Sequence, residues 1–133
     1  MLKYNLNWQQ TDAQLLEALL LATGGEGGAT LQDVLLMIDA VEADVPDLQE
    51  VEQGLEKLMA VKYVIIQKNK LLLSPLFMKD FDDVSGAEDE QQALFELLKT
   101  KELTPENMDE PKILIKKYKL KNQYQAYLEQ FGG

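Results

Sequence analysis

The sequence predicts an α-dominated α+β protein: a three-helix core with a two-stranded β-hairpin, then a mainly helical C-terminal extension. Three observations predict this. Apolar residues between positions 11 and 60 recur at helical spacing behind capping residues. Residues 63–73 read as two strand-like runs around a two-residue turn. The chain has 133 residues, 46% of them hydrophobic and 27% charged, the size and balance of one globular core. The core is assigned to residues 1–75 and the extension to 76–133, packed together as a single compact unit.

The first helix is expected to open at Thr11, with Gln14 three residues on to complete a capping box. Leu15, Leu16, Leu19 and Leu20 follow on one face, and Gly24-Gly25 ends the helix. The second helix starts at Thr30 with Asp33 in the box position, and Leu31, Val34, Leu35, Ile38 and Val41 form its apolar face. After a turn through Glu42–Pro46, Asp47 and Glu50 cap the third helix, whose buried stripe is Leu48, Val51, Leu55 and Leu58. Tyr63–Gln67 reads as a strand, Lys68-Asn69 as a tight turn and Lys70–Leu73 as the returning strand, stopped by Pro75.

Beyond the hairpin, Leu76–Phe81 is apolar enough to pack back on the core, and Asp80–Glu90 reads as an exposed acidic connection. A fourth helix over Glu88–Lys101 would bury Leu94, Leu97 and Leu98. Thr104-Pro105-Glu106 opens another short helix. Lys112–Leu120 is compatible with either strand or helix, because a short apolar run does not fix the period. Lys121–Phe131 is a final helix with Tyr124, Tyr127, Leu128 and Phe131 along one side. Trp8 is expected to lie as a lid over the bundle.

Composition excludes much familiar chemistry. All 13 basic residues are Lys; Arg, His and Cys are absent. A disulfide, a zinc–thiolate site, an imidazole base and a guanidinium clamp are therefore impossible. No catalytic residue, cofactor site or metal site is assigned, and the chain is read as a non-enzyme. The glycine-rich stretch 24–28 lacks the Lys-Ser/Thr pair of a phosphate loop. A calcium loop counted from Asp80 would place Val84, Ser85 and Gln91 at positions needing an oxygen ligand, Gly and Glu. The first ten residues lack the pattern of a signal peptide. The longest nearly apolar run, Leu15–Ala22, is interrupted by Glu17 and is far shorter than the roughly 20 residues of a membrane span. A cytoplasmic location without membrane contact is expected.

Formal net charge is -10, and it is segregated. Residues 1–75 carry 5 Lys and 11 acids, residues 76–110 carry 3 Lys and 11 acids, and residues 111–133 carry 5 Lys and 1 acid. An acidic body thus precedes a basic tail.

The stretches TLQDVLLMIDAV (30–41) and VPDLQEVEQGLEKLMAVKYVIIQKNKLLLSP (45–75) together resemble the winged-helix superfamily, over about residues 11–75. The resemblance implies three helices and a hairpin wing. It implies little about function, because that fold serves both DNA reading and protein contact.

A DNA-reading third helix must offer donors to phosphates and base edges. Outside its apolar stripe this one offers Asp47, Gln49, Glu50, Glu52, Gln53, Glu56 and Lys57, four carboxylates against one ammonium. Such a face opposes a polyanion. The expected role is a protein-interaction or regulatory module, with Gln49, Glu52, Gln53 and Glu56 contacting another protein, a basic one included, or a second copy of the chain. Direct DNA binding is disfavoured. The alternative is a DNA-binding regulator using the wing and tail lysines Lys68, Lys70, Lys116, Lys117 and Lys119. The tail KILIKKYKLK (112–121) is expected to lie over the protein's own acidic surface, its lysine stems covering apolar neighbours.

Overall fold

A computed structural model describes residues 6–24, 26–84 and 86–131. Seven helices and three short strands run through them: α1 (Gln10–Thr23), β1 (Gly28–Ala29), α2 (Leu31–Glu42), α3 (Leu48–Ala60), β2 (Val64–Gln67), β3 (Lys70–Leu73), α4 (Pro75–Asp82), α5 (Glu90–Lys99), α6 (Pro105–Lys117) and α7 (Leu120–Phe131). The α-dominated α+β class is as expected. Gly25 of the glycine-rich stretch and Ser85 of the acidic stretch lie outside the described residues.

Local chemistry sets most element starts. Thr30 caps α2 and its hydroxyl accepts from the Asp33 amide at 3.2 Å. Asp47 caps α3 and accepts from the Glu50 amide at 2.8 Å. Ser74 caps α4, where Pro75 sits in the first turn, a position that needs no amide hydrogen. The hairpin turn holds Lys68 at φ 52 and Asn69 at φ 63, the left-handed pair that a two-residue antiparallel turn requires.

The α1 cap differs from expectation. The helix opens at Gln10, and the Gln9 amide donates to Asp12 Oδ2 at 2.8 Å. Thr11 instead donates its hydroxyl to Glu50 at 3.3 Å. Asp12 faces inward, and its carboxylate reaches the preceding amide from the third helical position.

The sheet was longer than the two expected strands. β1 pairs antiparallel with β3, Gly28 opposite Leu72, giving the order β1-β3-β2. Two residues are too few to show a period of two. Gly28 suits the approach, because a Cβ there would lie 2.8 Å from Lys70 Cβ.

One core joins both halves of the chain. Leu15, Leu16, Leu19, Leu31, Leu35, Leu55, Leu58, Tyr63 and Leu71 are fully buried, and Leu94, Leu98, Ile115, Tyr118 and Leu120 join the same cluster. Trp8 is half-buried against it and donates its indole N–H to the Lys101 carbonyl at 2.9 Å, consistent with a lid.

Several expected core positions are exposed: Val41 (50%), Leu76 (42%), Leu128 (41%) and Phe131 (44%). Each lies within one turn of a helix end. Asp80 is not part of the connection. It lies in α4, accepts the Tyr63 hydroxyl at 2.6 Å and pairs with Lys101 at 2.9 Å. These bonds, led by that from Tyr63, hold its carboxyl below the ordinary value. Among the described residues of the acidic stretch, those from Asp82 onward are exposed apart from half-buried Val84 and Glu90, with α5 starting at Glu90 behind an Asp89 cap.

The ambiguous segment is helical. α6 runs from its Thr104 cap to Lys117 with Pro111 inside it, and α7 starts after a turn that holds Lys119 at φ 60. Pro111 lacks the amide hydrogen of an interior helical residue, which makes one helix read as two separate segments.

At Gly54 helix α3 lies close against α1. A Cβ there would collide with Leu15 and lie 3.0 Å from Asp12 Oδ1. Gly54→Ala is therefore expected to destabilise by about 1–3 kcal/mol, although alanine is the better helix former. Equilibrium urea unfolding checks this, and a stabilised variant would refute the close approach.

Candidate functional site

The exposed acidic face expected on α3 is largely covered. Every residue from Gly54 to Ala60 is buried, including Glu56 (7% exposed) and Lys57 (0%). Gln49 and Glu50 are exposed, while Glu52 and Gln53 are half-buried. α1 covers one side of α3 and α6 the other, so its last two turns have no solvent face. The apolar stripe alone could not reveal this, because the second cover comes from α6, which begins only at Pro105.

Lys57 points inward. Its ammonium pairs with Asp12 Oδ2 at 2.6 Å and donates to the Asn7 carbonyl at 2.8 Å and to Gln9 Oε1 at 3.3 Å. An ammonium has three hydrogens, so the group is fully satisfied. Burial raises the Asp12 carboxyl above its ordinary value, against opposing bonds from Lys57 and the Gln9 backbone.

Glu56 lies at a cleft of about 350 Å³ between α3 and the α6–α7 turn. Glu52 joins it on one wall. Lys112, Lys116, Lys119 and Lys121 stand on the other, with Ile115 and Leu120 between. Burial and then the neighbouring Glu52 push the Glu56 carboxyl up to about 7, against the pull of Lys112. The basic tail thus faces the acidic edge of α3, as the charge segregation suggested. Tyr124 fastens the same layer by donating its hydroxyl to the Pro46 carbonyl at 2.7 Å, just ahead of α3.

A second cavity of about 510 Å³ adjoins the first and shares Lys119 and Asn122 with it. Here Asn69 of the hairpin turn meets Lys117, Lys119 and Gln32 near the start of α2. Of the wing and tail lysines, Lys116 and Lys119 face the first cavity and Lys117 and Lys119 the second. Lys68 and Lys70 are exposed on either side of Asn69 and line neither.

Sequence reasoning took Lys112, Tyr118 and Lys121 only as parts of the tail 112–121, and it missed Asn122 in both cavities and Gln32 and Gln123 in the second. Lys112 and Lys116 are four residues apart, so they share a helix face once α6 is known to be continuous. No comparable pattern marks the others.

Among the described residues, no group of three or more Asp or Glu side chains is arranged to hold a metal ion, and no helix is long and apolar enough to cross a membrane. No protein-family model, curated protein or solved structure matches the chain.

Proposed function

We propose that this chain is a non-catalytic interaction or regulatory module of winged-helix type, whose third helix is already engaged by its own C-terminal tail. Three helices followed by a hairpin, with β1 added at the hairpin edge, support the winged-helix reading. The observation that carries the functional reading is the cover over α3. A helix that enters a DNA groove needs a free, donor-rich face. Here Glu56 is 7% exposed beneath a lysine-bearing helix pair, and the exposed start of α3 presents Gln49 and Glu50.

The contact edge is accordingly Gln49, Glu52 and Gln53, with Glu56 beneath them, and its partner is a basic protein surface. Affinity capture with the wild-type chain and with Glu52→Lys/Gln53→Lys tests this. The double-lysine variant is expected to lose partners that the wild type retains. Unchanged capture by both would exclude this edge.

The meeting of Asn69 with Lys117 and Lys119 favours a second reading, in which wing and tail lysines together contact a nucleic-acid backbone. A gel shift with random duplex across a salt series separates the two. Steeply salt-dependent binding would favour the lysine face, whereas absence of a shift at low salt supports the protein-interaction reading.

A further inference from the structure

The first cavity divides its charge between two walls. Glu52 and Glu56 stand on the α3 side, and Lys112, Lys116, Lys119 and Lys121 on the side of α6, α7 and the turn between them. Most of the surface between these charges is apolar, made by lysine stems over Ile115 and Leu120. The volume of about 350 Å³ is in the range of small-molecule sites.

An independent observation is the state of Glu56. The residue is 7% exposed, and its carboxyl accepts no hydrogen bond among the described residues. Its oxygens are not sealed in the core, because the Tyr118 hydroxyl is the one fully enclosed side-chain polar atom without a partner among those residues. They open instead on the cleft that Glu56 lines. Glu52, one turn earlier on the same helix face, repels the carboxyl, and Lys112 attracts it by charge. Burial and Glu52 hold the proton on Glu56 up to about 7, as expected of a carboxylate short of donors. Leaving a buried carboxylate without a hydrogen bond is costly, so this one points to an absent donor.

The opposite wall limits what that donor can be. A plain amine would bring its charge to four lysines, and a plain anion would meet two carboxylates. Like charges brought together in a partly buried cleft are unfavourable. A ligand carrying both charges escapes both conflicts. Lys112 acts on the Glu56 carboxyl across the cleft, so the two walls are near neighbours. That closeness suits an ammonium and a carboxylate borne on one carbon.

We propose that this cleft binds a free α-amino acid with an apolar side chain. Its ammonium donates to Glu56 and Glu52, its carboxylate faces Lys112 and Lys116, and its side chain lies on the apolar surface between them. The site shares two carboxylates with the acidic edge of α3 but does not rest on the protein-interaction reading. Capture with Glu52→Lys/Gln53→Lys decides that reading, and small-molecule titration decides this one, so either can fail alone.

The test uses the full chain at about pH 8, where Glu56 is ionised. Amide NMR follows titrations with leucine, isoamylamine, isocaproate and glycine at constant ionic strength. Isoamylamine lacks the carboxylate, isocaproate the ammonium and glycine the side chain. Leucine is expected to shift the Glu52, Glu56 and Leu120 amides saturably. Each of the others is expected to bind about tenfold more weakly, having lost one charge-assisted contact or one buried side chain. Glu56→Gln is expected to weaken leucine binding about tenfold without weakening isocaproate. Lys112→Gln/Lys116→Gln changes two exposed positions and is expected to weaken leucine about tenfold without weakening isoamylamine. Leucine affinity unchanged in either variant would overturn the proposal. So would isoamylamine or isocaproate binding as tightly as leucine, or no saturation by leucine up to about 10 mM.

Discussion

Lys57→Met is expected to lower the free energy of unfolding by about 3–5 kcal/mol, the largest effect of any single substitution considered. The change conserves most of the apolar stem but leaves the Asp12 carboxylate 1% exposed and without its 2.6 Å partner. It also removes the ammonium that donates to the Asn7 carbonyl and to Gln9 Oε1. Burial already holds the Asp12 carboxyl high with Lys57 present, so without it the carboxyl should remain protonated to a still higher pH. The deficit should therefore shrink in acid. Asp12→Leu/Lys57→Met removes both charges and should recover most of the loss, less about 1 kcal/mol for the bond to the Gln9 amide. Urea unfolding of the two single variants and the double variant measures the coupling. A cost under about 1 kcal/mol for Lys57→Met would show that the buried pair does not hold α1 to α3.

The second large effect concerns pH. The Glu56 carboxyl is raised from 4.5 to about 7 in the folded chain. Below 4.5 both folded and unfolded chains carry the proton, and the group is neutral to stability. Between 4.5 and 7 the unfolded chain releases it first, so stability falls as pH rises. Above about 7 the full penalty applies, about 3 kcal/mol for the buried carboxylate. Glu56→Gln removes the titration. It is expected to raise stability at pH 8 by about 1–3 kcal/mol relative to wild type, with little difference at pH 4.5. Denaturation midpoints for both proteins at the two pH values decide this. Parallel pH profiles would mean that Glu56 is not the buried acid of the cleft. The same titration bears on the tail, because deprotonation restores a charge for Lys112 to meet.

The local elements were legible because each depends on residues close in sequence. Thr30 with Asp33 and Asp47 with Glu50 specify two helix starts through bonds that span three residues. Lys68-Asn69 specifies the hairpin through the backbone angles its turn needs. Segments were read wrongly or left open where a distant neighbour or an interrupted period decided them. Asp80 looked like part of an acidic linker until Tyr63 and Lys101 claimed it, 17 and 21 positions away. The lysine-rich tail had no readable period across Pro111.

The candidate site follows the same division. Composition alone determined that no thiol, imidazole or guanidinium chemistry is possible, and that a basic tail follows an acidic body. Those conclusions depend only on which groups are present. The tertiary structure decided where the charges go. It buried Lys57 against Asp12 across 45 positions, placed Glu56 beneath the tail, and brought the hairpin turn to the α6–α7 turn at Lys117 and Lys119. The exposure of a side chain depends on every element packed around it. A helix that reads as one-sided from its apolar stripe acquires a second buried face when a distant segment folds over it.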